Sequence, residues 1–135
     1  MLARIVAEHP QSPLVEQALY DRARIAYQQR AWAAARKHLD QLMALPAPRL
    51  VEQSRYLECR IAINTQDNGA VVCLEAYRRA YPRSPHAPDV LAMLVQLAHS
   101  DGGCRAAAAR ITELMREHPA SKLAAAWRAR CPEPR

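Results

Sequence analysis

Small and apolar residues recur along this chain at the three-and-four spacing of a buried helix face. Leu14, Ala18, Leu19, Ala23 and Ala26 form one such stripe. After the polar break Gln28-Gln29-Arg30, a second runs through Trp32, Ala35, Leu39, Leu42 and Leu45. The pattern predicts a helix, a turn and an antiparallel helix. Two further turn signals, Asp67-Asn68-Gly69 and Ser100-Asp101-Gly102-Gly103, each divide another pair of helical stretches.

Proline closes each pair, at His9-Pro10, Leu45-Pro46, Tyr81-Pro82 and His118-Pro119, in steps of 36, 36 and 37 residues. The words between the prolines repeat as well. Leu14-Val15-Glu16-Gln17 returns as Leu50-Val51-Glu52-Gln53, and Tyr20, Ala26 and Ala34 return as Tyr56, Ala62 and Ala70. A serine follows three of the prolines, and Ser12 and Ser121 are placed to cap the next helix, whose first amides lack partners. A helix pair of this length cannot bury its apolar face alone, so neighbouring pairs must stack. The expected fold is all-α: a right-handed α-solenoid of antiparallel helix pairs, three repeats and a capping helix, in one domain. The boundaries are a partial N-terminal helix (1–9), repeats at 10–45, 46–81 and 82–118, and a capping helix with its tail (119–135). Leu2, Ile5 and Val6 read as the last turns of a second helix whose partner is missing, or as a short N-terminal cap.

The carried residues are the small residue of the first helix (Ala23, Cys59), the aromatic followed by alanine in the second (Trp32, Ala35), and the closing Pro46, Pro82 and Pro119. On these the chain resembles the tetratricopeptide repeat family over nearly its whole length. Tyr81-Pro82-Arg83-Ser84-Pro85 and the 36–37 step are similar to the longer repeats of bacterial envelope proteins. Those include the lipoprotein of outer-membrane β-barrel assembly and the periplasmic coordinator of the Tol-Pal system. Asn68 and Gly103 stand where the family has its aromatic. The resemblance implies a concave side lined by first helices, a protein or peptide partner, and a periplasmic or otherwise extracytoplasmic setting within an envelope complex. Membrane association would come only through an anchor or a partner. A cytoplasmic tetratricopeptide adaptor and a regulatory or sensor domain of a larger signalling protein or enzyme are the alternatives.

Composition narrows the function. The chain has 135 residues with 50% hydrophobic and 24% charged positions, and no run approaches the roughly 20 apolar residues of a membrane-spanning helix. Gly is rare at 3 and Phe is absent, so helix formers dominate over β-branched and aromatic residues. The net charge of +6 invites a nucleic-acid reading, but arginines are scattered with acids between them rather than gathered on a stripe. No nucleic-acid partner is expected, and Arg78, Arg79 and Arg83 read as a solvated helix end beside the negative end of its dipole.

No Gly-rich phosphate loop or nucleophile elbow is present, so no catalytic residue and no cofactor is expected. Glu113 and Glu117, beside Arg110 and Arg116, read as surface ion pairs. The five histidines lack i,i+4 pairing and the four cysteines lack CxxC spacing, so no metal centre is expected. The cysteines fit hairpins better. Cys59 and Cys73 are equidistant from the Gln66-Asp67 turn, and Cys104 and Cys131 from the turn at Glu117-His118-Pro119, so each pair predicts a disulfide. The other reading is that they fill small core slots as free thiols. Disulfides would place the chain in an oxidising compartment. What remains is a binding surface. Glu16, Tyr20 and Arg24 at i, i+4 and i+8 repeat as Glu52, Tyr56 and Arg60, with Met93 in the third unit. This ladder suits an extended peptide or a partner helix; alternatively both tyrosines pack between repeats and the charges are solvated.

Overall fold

The computed structural model describes residues 13–133, and among these the chain is all-helical. The helices are α1 (Pro13–Gln28), α2 (Trp32–Met43), α3 (Val51–Asn64), α4 (Ala70–Ala80), α5 (Ala87–Glu117) and α6 (Lys122–Arg130). The expected partial helix at 1–9 and the cap at Ser12 lie outside the described residues. The chain divides into two compact units at Cys73–Leu74, inside α4.

In the first unit α1 packs against α2, and α3 packs against both. Alanines at Ala23, Ala26 and Ala35 let the helix axes approach, and Leu39, Leu57 and Ile61 fill the space between them. Val15, Leu19 and Leu42 form a second buried cluster beneath Tyr20, Met43 and Leu50.

The two first helices end in the same way. Past α1, Arg30 takes a positive φ of 59°, and the Ala31 amide donates back to the Ala26 carbonyl at 2.8 Å. Past α3, Gln66 takes φ 54°, and the Asp67 amide donates back to the Ala62 carbonyl at 2.9 Å. This six-to-one closure satisfies carbonyls that the helix end leaves open. It recurs 36 residues on, so the sequence period is a backbone period within this unit. Arg36 then ties α2 to the second turn through Thr65 Oγ1 (3.2 Å) and Asp67 Oδ2 (3.4 Å). Cys59 and Cys73 are joined, with Cα atoms 5.4 Å apart.

In the second unit α5 is broken rather than looped. Its backbone leaves helical values only at Gly102 (φ −150°) and Gly103 (φ +69°). Gly103 has the left-handed φ that favours glycine, and a Cβ on Gly102 would stand 2.8 Å from that of Ala106. The turn expected at Ser100–Gly103 is therefore a tight kink between stretches 87–101 and 104–117. α6 packs on α5, and Ser121 Oγ caps it by accepting from the Leu123 amide at 3.1 Å, as the sequence predicts. Cys104 and Cys131 are joined, again with Cα atoms 5.4 Å apart. Ser84 does not cap α5, whose N-cap is His86. Instead its hydroxyl takes the His86 amide (3.0 Å) and pairs with Tyr77 Oη (2.7 Å), holding the loop shut.

The second-helix stripe is a three-position burial pattern. Ala35, Leu39 and Leu42 of α2, Ala70, Leu74 and Tyr77 of α4, and Ala107, Ile111 and Leu114 of α5 are each buried at i, i+4 and i+7.

Candidate protein-binding face

The face is built from one side of α1 and one side of α3. On α3, Tyr56, Arg60 and Asn64 fall one turn apart, and on α1, Tyr20, Arg24 and Tyr27 do the same. The Arg60 guanidinium lies 5.3 Å from the centre of the Tyr27 ring and 5.8 Å from that of Tyr56. Asn64 Nδ2 donates to Tyr27 Oη at 2.9 Å, linking the two helices across the face. Tyr27 is braced from beneath by Trp32, edge to face at 5.3 Å. Arg24 stands 6.0 Å from the Tyr20 ring on its own helix. The two arginines are exposed, and among the described residues neither has a carboxylate within 4.0 Å. A guanidinium held over aromatic faces keeps its N–H edge available for bidentate recognition of a carboxylate.

The ladder expected from sequence is brought together only in part. Tyr20, Arg24, Tyr56 and Arg60 stand at this face; Glu52 lies one turn before Tyr56 and is half-buried, as both tyrosines are, and Met93 is half-buried on α5 of the second unit. Glu16 is corrected outright as a ligand-facing residue. It is 7% exposed, and its Oε2 accepts the backbone N–H groups of Arg49 and Leu50, the latter at 2.6 Å. Leu50 is the N-cap of α3 and has no side-chain oxygen to offer. The carboxylate of α1 takes the amides of the N-cap residue and the one before it, as a capping-box carboxylate takes the N-cap amide, and lies near the positive end of the α3 dipole. Tyr27 and Asn64 were missed by sequence reasoning, although Asn64 continues the Tyr56–Arg60 spacing by one more turn.

The second unit carries an ion-pair network. Arg78 reaches Glu113 (3.0 Å), Glu75 (3.3 Å) and Glu117 (3.4 Å), and Arg110 pairs with Glu75 and Glu113. Arg78 is only 18% exposed, so it is not the solvated helix end that its neighbours in sequence imply. Burial alone would raise the pKa of Glu113, but the hydrogen bond from Arg78 and the charges of Arg78 and Arg110 hold it below the usual carboxylate range. Burial would likewise lower that of Arg78, and the Glu113 hydrogen bond with the three carboxylate charges raises it instead. Glu113 and Glu117 are thus spent on joining α4 to α5.

The fold places a ring nitrogen of His99 within 4.8 Å of the Cys104 and Cys131 sulfurs, which are joined to each other in the disulfide. The signal available in sequence was that His99 and Cys104 flank one Gly-Gly break. No helix of the described residues is long and apolar enough to cross a membrane. No protein-family model matches the chain, and no curated protein matches it.

Proposed function

We propose that this chain is a non-enzymatic protein–protein interaction scaffold, a right-handed solenoid of tetratricopeptide-like helix pairs, acting within an extracytoplasmic complex of the bacterial cell envelope. The observation that carries the reading is Arg60 held over both Tyr27 and Tyr56, with Arg24 over Tyr20, and neither guanidinium paired to a carboxylate among the described residues. Such a face is pre-organised for an extended peptide or a partner helix that presents acidic side chains at intervals. Support for the repeat comes from the helix-end closures at Arg30 and Gln66 and from the burial stripe shared by α2, α4 and α5. Support for the compartment comes from the two disulfides, which persist where the surroundings are oxidising. By closing 14- and 27-residue separations they stabilise the fold by about 3 kcal/mol each.

Affinity selection from a random-peptide library tests the binding reading. The wild-type chain is expected to enrich peptides bearing Asp or Glu, and Tyr56→Ala/Arg60→Ala is expected to lose that enrichment. A selection with no acidic bias, or one that the double variant repeats, rejects the face. Thiol titration of denatured, unreduced protein recovered from its native compartment separates the envelope reading from a cytosolic adaptor, which would show free thiols.

A further inference from the structure

We propose that His99, Cys104 and Cys131 form a Cys2His site for a soft d10 metal ion, Zn2+ or Cu+, whenever their disulfide is reduced. Three helix ends converge to make it. His99 comes from the last turn before the α5 kink, Cys104 from the first turn after it, and Cys131 from the C-cap of α6. The kink is what turns the first two toward one point, through the left-handed backbone of Gly103. Their donor atoms and the Cys131 sulfur all lie within 4.8 Å of each other. A tetrahedral ion with Zn–S near 2.3 Å and Zn–N near 2.0 Å separates its ligands by about 3.5–3.8 Å. On reduction the sulfurs part to that spacing, and the imidazole, already within 4.8 Å of both, has at most about an ångström to close. The ring of His99 rests against Trp127, with ring centres 5.3 Å apart. One nitrogen and two thiolates are a donor set for Zn2+ or Cu+ rather than for hard cations. Cys59 and Cys73 belong to no such group among the described residues.

The two states exchange by balanced steps. A thiolate of a dithiol reductant attacks the sulfur of Cys104, the exposed residue of the pair, and the buried Cys131 leaves as thiolate; the second thiol of the reductant then releases Cys104. The reductant ends as its own disulfide, the protein as two thiols, and the metal displaces their two protons. The ion would then hold the kink of α5 to the end of α6 in place of the covalent bond.

The test uses the full chain, reduced with a phosphine under anaerobic conditions and titrated with Co2+, then with Zn2+. One Co2+ per chain is expected, with thiolate-to-cobalt charge-transfer absorption and tetrahedral ligand-field bands that Zn2+ removes. The unreduced chain and Cys104→Ser should show none of these bands. His99→Phe, which keeps a ring beside Trp127, should bind about tenfold or more weakly, and Cys59→Ser/Cys73→Ser should bind as the wild type does. A reduced chain without thiolate–cobalt bands, or His99→Phe with undiminished affinity, overturns the site. Circular dichroism of the same samples covers loss of fold. A reduced chain that has lost helix supports the proposal if Zn2+ restores it, and refutes it if Zn2+ does not.

Discussion

Replacing Glu16 isolates the contact by which one helix pair prepares the next. The carboxylate is nearly fully buried and accepts two amides at the entrance to α3, where Leu50 supplies no cap of its own. A hydrogen bond to a charged group contributes about 1.5–3 kcal/mol, and a carboxylate at a helix N-terminus adds about 0.3–1 kcal/mol. The two bonds share one oxygen and one geometry, so they do not add in full. Glu16→Ala, which leaves both amides without this acceptor, should therefore cost about 2–4 kcal/mol. Glu16→Gln keeps a neutral oxygen in the same place and should cost about 1–2 kcal/mol, since it loses only the charge-assisted part. Urea unfolding with the disulfides intact measures both, read by far-ultraviolet circular dichroism and by fluorescence of Trp32, which packs against the core of the same unit. If Glu16→Ala lies within about 0.5 kcal/mol of wild type, the range of ordinary surface changes, the capping role is wrong. A Gln variant as costly as the Ala variant would show that shape rather than charge is what matters.

Ser54 presents the opposite case, because its hydroxyl is fully buried with no hydrogen-bond partner among the described residues. Ala18 fills the equivalent position one period earlier and is buried too, so Ser54→Ala should raise stability by about 1 kcal/mol in the same urea experiment. A neutral or destabilising result would mean the hydroxyl has a partner. The α4–α5 network sets an acid dependence. The folded-state pKa of Glu113 lies below its unfolded value of about 4.3, so its contribution is present above that value and is lost as pH falls through the depressed one. Stability of Glu113→Gln measured from neutral to acid pH should therefore start below wild type and converge on it as the acid limit is approached. Parallel curves would remove Glu113 from the network.

Much of the architecture was legible because it rests on local periodicity. The stripe over 18–26 is buried on α1, though Leu14 is 66% exposed, and that over 32–42 lies on α2, with Leu45 past its end; Ser121 caps α6 because its oxygen stands in reach of the amide two residues away. The cysteine partners also followed from symmetry about a turn, since residues equidistant from a hairpin's tip lie opposite one another. The candidate face was harder. Helical spacing put Glu16, Tyr20 and Arg24 on one stripe, but a stripe says nothing of which end of it meets the next loop. Glu16 meets that loop and is consumed there, while the stripe continues outward through Tyr20 and Arg24.

The order of residues therefore determined where helices begin, break and repeat, because hydrogen bonds to the fourth neighbour and the 3.6-residue turn act over short stretches of chain. Tertiary structure alone decided the partners of each charge. Arg78 looks like any basic residue at a helix end until α5 brings Glu113 and Glu117 to it. Likewise, Arg60 becomes a held guanidinium only once α1 places Tyr27 over it. Coulombic and ring contacts depend on distance in space, and residues 33 positions apart or more acquire that distance only when the helices pack.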